Sequence, residues 1–218
     1  HCRYFLESEM PNILPDPLES YLSGLLPDRD ETLAEMESYA AENRVPIIGP
    51  LVGRLLHQAA LLNGAKRVFE MGSAIGYSTV WLARAVGQDG KVYYTDGSHE
   101  NADRARDYLE RAGVAQRFEI LVGDALELLD ATEGQFDIVF NDVDKHDYPR
   151  VFDLALPRVR KGGLLITDNV LWSNRVLEPS EDVNTKAIQA YNQKANSAPE
   201  VWTTVIPIRD GVSISLKL

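Results

Sequence analysis

The chain has 218 residues, 44% hydrophobic and 25% charged, a size and balance that suit one conventional core and argue against a disordered or fibrous class. A formal charge of −11 repels phosphate backbones and anionic headgroups, so nucleic acid and membrane surfaces are poor partners. Cys2 is the single cysteine, which excludes an intrachain disulfide; no basic-then-apolar opening and no apolar run near the ~20 residues of a bilayer span is present, so a cytoplasmic address is expected. The opening His1-Cys2 lacks an initiator Met and is set aside.

Residues 11–45 hold two Pro-punctuated helical patterns, Leu18-Tyr21-Leu22-Leu25 and, after Asp30, Leu33-Met36-Tyr39-Ala40. A third helix follows Pro50 and stops at Asn63-Gly64. From there short strands alternate with helices. Arg67 to Met71 reads as a strand, Tyr77 to Val86 as a helix and Lys91 to Thr95 as a strand. Ser98 caps a helix carrying Ala102, Ala105, Leu109 and Ala112, ended by Gly113. Strands at Phe118 to Val122, Phe136 to Phe140 and Leu164 to Thr167 are separated by helical patterns at Ala125 to Leu129 and Tyr148 to Val159. This βαβ repetition implies a parallel sheet with helices on both faces. A last helical pattern, Thr185 to Lys194, leads to two β-branched runs, Val201 to Ile206 and Val212 to Leu216, joined through Asp210-Gly211 as an antiparallel pair at the sheet edge. The expected class is α/β: a Rossmann-like, doubly wound, seven-stranded, mostly parallel sheet with that terminal hairpin and extra N-terminal helices.

"VFEMGSAIGYS" (68–78) is a strand, a glycine-rich turn and a helix start, where open α/β sheets bind cofactors. The dinucleotide pattern G-x-G-x-x-G is absent. The loop instead reads E-x-G-x-A-x-G, with Glu70 acidic and small residues at 72, 74 and 76; this spacing resembles the S-adenosylmethionine (SAM) loop of class I methyltransferases. A negative Glu70 suits a cofactor bearing a sulfonium and an ammonium group better than one bearing a pyrophosphate. Asp96 ends the next strand, 20 residues after Gly76 (96 − 76), where a carboxylate accepts ribose hydroxyls in SAM and NAD proteins alike. Gly123-Asp124-Ala125 follow the third strand, beside the adenine by the same topology.

"FNDVDKHDY" (140–148) is an apolar strand end spilling into ionisable groups. Asp142 closes one strand and Asp168-Asn169 close the next, 26 residues later (168 − 142). Adjacent strand ends converge in a doubly wound sheet, so two carboxylates and a carboxamide meet. Such oxygen donors suit a hard cation, Mg²⁺ first, then Mn²⁺ or Ca²⁺, whereas zinc lacks its Cys or His.

With "YYTDGS", "VGDALELL", "KGGLLITDNVLW" and "PIRDGVSISL" added to these two stretches, the chain resembles the metal-dependent O-methyltransferases of the caffeoyl-CoA and catechol type from about residue 46 to the C-terminus. The resemblance implies that Asp142, Asp168 and Asn169 hold the metal, that Lys145 is the catalytic base beside Asp142, and that Glu70, Gly72, Ser73, Ser78, Asp96, Ala125 and Asp144 bind SAM. It divides the chain into a helical lid or dimer segment (1–45) and a catalytic core (46–218), and implies a homodimer. His146 is a rival base and His57 a structural residue. Trp172 and Ser173 are the candidate substrate contacts; Ser173 stands where the plant enzymes carry an Asn that recognises acyl-CoA, so a small free catechol or related vicinal diol is the expected acceptor. A tRNA hydroxyuridine O-methyltransferase and an NAD-dependent oxidoreductase are the alternatives; the acidic charge opposes the first and the missing fingerprint the second.

Overall fold

A computed structural model of the chain describes residues 13–218; His1 and Cys2 lie outside the described residues. Eight helices and seven strands follow in the order α1 (Asp16–Gly24), α2 (Glu31–Asn43), α3 (Gly49–Asn63), β1 (Arg67–Met71), α4 (Tyr77–Val86), β2 (Lys91–Asp96), α5 (His99–Arg111), β3 (Phe118–Val122), α6 (Ala125–Ala131), β4 (Phe136–Asn141), α7 (Tyr148–Arg158), β5 (Val159–Thr167), α8 (Val183–Ser197), β6 (Val201–Ile206) and β7 (Val212–Lys217) among the described residues. They form one seven-stranded sheet in the order β3-β2-β1-β4-β5-β7-β6. The first five of these strands are parallel, and β7 runs antiparallel to both β5 and β6. The expected architecture, terminal hairpin included, is the observed one.

Side-chain parity explains why the central strands read as unbroken apolar runs. Val68, Ile138 and Ile166 point to a core shared with α3, α4 and α5, while their neighbours Phe69, Val139 and Leu165 point to a second core under α6, α7 and α8. A strand covered on both faces has no solvent side on which polar residues could alternate. α2 belongs to the first core through Leu33, Met36 and Ala40, whereas α1 buries none of its residues.

Helix limits follow from local chemistry. The carboxylate or hydroxyl of Asp30, Ser98, Asp124 and Asp182 accepts backbone N–H bonds at the starts of α2, α5, α6 and α8, each cap worth about 1 kcal/mol. Gly64, at φ +62, closes α3 as expected. β5 begins five residues earlier than the apolar run suggests. Val159 pairs with Phe136, the register then shifts, and Gly163 passes so close to the neighbouring strand that a Cβ there would lie 2.7 Å from the Asp137 carbonyl oxygen. Arg160 Nε clamps this irregular stretch by a 2.5 Å bond to Asp137 Oδ1. The 3₁₀ segments Lys145–Asp147 and Trp172–Leu177, among the described residues, are additions to the expected elements.

Candidate active site

Strand order reverses at β1 and β4, so the crevice outside their carboxyl ends is where this topology binds ligands. A cleft of about 1240 Å³ lies there, larger than the ~300–1,000 Å³ of a typical single-ligand pocket. Its floor is tight: Asp142 N donates to the Met71 carbonyl (2.9 Å), and a Cβ on Gly72 would come within 2.5 Å of the Asp142 carbonyl oxygen.

One side is the glycine loop. The small residues at 72, 74 and 76 all adopt left-handed backbone, with φ +81, +45 and +84, and Ala74 does so without a glycine's freedom. Its strain is held by two bonds: Ala74 N donates to Asp96 Oδ2 (3.0 Å) and Tyr94 Oη donates to the Ala74 carbonyl (2.6 Å). Asp96 Oδ1 also accepts from Ser98 N and Asn101 Nδ2, so this carboxylate shapes the loop as well as lining the cleft. Ser73 is buried, its Oγ accepting from Thr95 N. Glu70 is fully buried; Oε2 accepts from Thr79 Oγ1 at 2.6 Å and Oε1 has no partner. Burial pushes its carboxyl up to about 7, against the opposing hydroxyls of Ser78, Thr79 and Ser73. Glu70 is therefore less firmly ionised than the sequence implies, and a nearby cation would stabilise its charged form. Gly72, Ser73, Ser78, Ala125 and Asp144 line the same cleft, Ala125 at the Asp124-capped start of α6.

The other side gathers Asp142, Asp168 and Asn169. Asp168 is 4% exposed and its Oδ1 has no hydrogen-bond partner. Burial raises its carboxyl above the usual range and the charge on Asp142 adds to the effect; burial also raises Asp142, with Lys145 opposing. An unpartnered buried oxygen on one of two mutually repelling carboxylates fits a bound cation. Among the described residues no group of three His, Cys, Asp and Glu side chains could hold a metal ion; two carboxylates and the Asn169 carboxamide form an oxygen set that would suit a hard ion rather than zinc. Asn169 stands at φ +56, and its Nδ2 lies 3.5 Å from Asp210 Oδ2.

Lys145 Nζ donates to Asp142 Oδ1 (2.7 Å) and to the Val143 carbonyl (3.2 Å), beneath the Tyr148 ring. His146 lies on the rim, half exposed, with Nε2 3.3 Å from Asp147 Oδ2. His57 is elsewhere, its Nδ1 2.9 Å from the Trp81 carbonyl. Trp172 lines the cleft, with a buried indole N–H that has no partner. Ser173 is not a lining residue. Its backbone N–H donates to Asp210 Oδ1, and it is the middle member of three successive non-glycine residues, Trp172, Ser173 and Asn174, at positive φ.

Three contributors had no assigned role in the sequence. Glu37 of α2 lines the cleft and accepts from Tyr77 Oη (2.7 Å) and Arg29. From the β6–β7 loop Arg209 lines the cleft and Asp210 reaches Ser173 N and Asn169 Nδ2; the loop reads as a turn within the stretch "PIRDGVSISL", which carried the resemblance but gave neither residue a role.

Fold and cleft together define a Rossmann-like methyltransferase. A family model described as "O-methyltransferase" matches residues 27–218. A catechol O-methyltransferase of Niastella koreensis is 30% identical over 95% of this chain and 99% of its own length, and one of Mycobacterium tuberculosis is 34% identical over 91% and 90%. The solved O-methyltransferase from Bacillus cereus, in complex with S-adenosylhomocysteine (SAH), superposes with a TM-score of 0.84 at 30% identity, covering 93% of this chain and 97% of that one. The chain belongs to the O-methyltransferase family, enzymes that draw their methyl group from SAM.

Proposed function

We propose that this enzyme moves the methyl group of SAM to one hydroxyl of a small vicinal dihydroxyphenol and depends on a divalent cation, Mg²⁺ first, held by Asp142, Asp168 and Asn169. The observation that carries the proposal is the unpartnered, buried Oδ1 of Asp168 beside Asp142, facing the glycine loop across one cleft. Catechol O-methyltransferases among the relatives support the acceptor class.

Each group of the chain has a task. Gly72, Ala74 and Gly76 keep alternate loop positions small so that a ligand reaches the backbone; Glu70 supplies negative charge for a sulfonium and an ammonium; Asp96 offers carboxylate oxygens to a ribose diol. A phenol titrates near pH 10, so at neutral pH it is a weak nucleophile until its proton leaves. A bound divalent cation supplies charge that favours the ionised phenol and a template that orients it. Lys145 Nζ, 2.7 Å from Asp142 Oδ1, stands beside that point and in its neutral form accepts the hydroxyl proton. The oxygen's electron pair then forms the new O–CH₃ bond as the S–CH₃ bond breaks, leaving a neutral thioether. Opposite charges vanish in this step, so a cleft walled from water favours it, and alignment of the two reactants contributes an entropic share. Homodimerisation through the N-terminal helices is part of the same proposal.

The test is a panel of catechols and monophenols with labelled SAM, each with and without EDTA. Label transfer to catechols, lost with EDTA and restored by Mg²⁺, is expected. Equal transfer with EDTA present, or transfer to monophenols alone, refutes the proposal.

A further inference from the structure

The cleft is acidic. Glu37, Asp124 and Asp147 add to the carboxylates already described, and apart from His146 the basic residues lining it, among the described residues, are Lys145 and Arg209. Lys145 is ion-paired with Asp142. Arg209 makes one hydrogen bond, Nη1 to the Ile47 carbonyl at 2.8 Å, and no ion pair among the described residues, while its charge acts at longer range on the carboxyls of Asp142, Asp168 and Asp210.

Its placement is specific in two ways. Arg209 stands at φ +48, a conformation a glycine would adopt without strain and a long side chain adopts at a cost. Its guanidinium also packs over Gly49, at φ +68 where α3 begins: a Cβ there would lie 2.8 Å from Arg209 Nη1, a clash the flexible side-chain end could relieve by moving. A left-handed backbone, the bond to the Ile47 carbonyl and packing over Gly49 thus seat a guanidinium at the cleft rim, one residue before Asp210, which reaches Asn169. With Nη1 bonded to Ile47, the Nε and Nη2 donors have no partner among the described residues. A planar guanidinium with spare donors matches a carboxylate better than any other common anionic group of a small aromatic acid.

We infer that Arg209 determines specificity by taking a carboxylate on the acceptor, so that the substrate class is a vicinal dihydroxyphenol bearing an acid group on the side of the ring away from its hydroxyls. This rests on the acceptor chemistry proposed above. The surrounding carboxylates repel an anion, so a preference for an acidic acceptor requires a local cation, and removal of that cation should reverse the preference.

The experiment compares 3,4-dihydroxybenzoate with 3,4-dihydroxybenzamide, which share ring and hydroxyls and differ in charge. Wild type should favour the acid by about fivefold or more in kcat/KM, expressed in KM, the size expected of a partly exposed charge-assisted pair. Arg209→Gln should bring the ratio to one or below, and Arg209→Lys should restore part of it. Calorimetric Kd values for the two ligands with SAH and Mg²⁺ present should show the same ratios. General damage to the fold lowers both acceptors together and leaves the ratio unmoved. A wild-type ratio near one, or an unchanged ratio in Arg209→Gln, overturns the role of Arg209 while methylation of the benzamide leaves the catechol proposal standing. Methylation of neither compound overturns both.

Discussion

Replacing Glu70 by glutamine should make the ligand-free protein more stable and the SAM complex weaker. The side chain is fully buried and its carboxyl titrates at about 7 rather than 4.5. At roughly 1.4 kcal/mol per pH unit, holding it ionised costs the folded state about 3 kcal/mol. A carboxyl raised in the folded state contributes stability that is fully present below 4.5 and is lost as pH rises through about 7. Wild type should therefore lose stability between about pH 5 and pH 8 by an amount that Glu70→Gln does not. The amide must also seat an NH₂ where Oε1 or Oε2 now lies, so the gain at about pH 8 should be roughly 1–3 kcal/mol, or several degrees in Tm for a chain of this length. Thermal unfolding of both proteins across that range, with EDTA and without SAM, measures the difference; calorimetric titration with SAM should show affinity falling about tenfold or more as an anion facing the cationic donor is lost. A Tm difference that does not change with pH, or tighter SAM binding by the variant, would refute the assignment of a strained, cation-seeking carboxylate.

The two carboxylates proposed to hold the metal make a parallel prediction: with EDTA, Asp142 and Asp168, both raised, should lower stability as pH climbs from the acid range toward neutrality, and Mg²⁺ should raise Tm more at the upper end, because binding displaces protons. A Mg²⁺ effect on Tm that survives in Asp168→Ala argues for a different ion site. Lys145→Ala should retain SAM affinity yet lose about a hundredfold or more in kcat, read by single-turnover label transfer; turnover at the parental rate removes Lys145 from the chemistry. Gly72→Ala places a methyl 2.5 Å from the Asp142 carbonyl oxygen at φ +81, and should cost at least about 2 kcal/mol in urea unfolding and weaken SAM binding, while the same change at Gly64, with nothing within 4 Å, should cost only the price of its left-handed backbone, about 1 kcal/mol.

Sheet and cleft were legible because their signals are local. Val68-Phe69 and Ile138-Val139 are apolar on both parities, Gly72, Ala74 and Gly76 are small at the positions that turn left-handed, and Asp142 and Asp168 follow directly on strands that pair side by side. Non-local features left no such mark. Arg209 meets Ile47 across 162 positions and Asp210 meets Asn169 across 41, and the hairpin pattern around them signals only a turn. Glu37 lies on α2, whose helical period marks the buried face and says nothing of a cleft at its polar margin. Trp172, Ser173 and Asn174 carry no glycine to announce three left-handed residues in a row; tertiary bonds such as Ser173 N to Asp210 hold them there. The early start of β5 was hidden because Arg160 to Gly163 lack apolar alternation and pair by way of an irregular register.

The near-contact of Gly72 with the Asp142 carbonyl means that the glycine loop and the turn carrying Asp142, the proposed ion-and-acceptor side, back onto a single shared peptide group. Neither turn can gain or lose a residue without offsetting one reactant from the other, so length variation introduced by engineering should be tolerated in the distant connections, such as the one between α5 and β3, and rejected at these two turns.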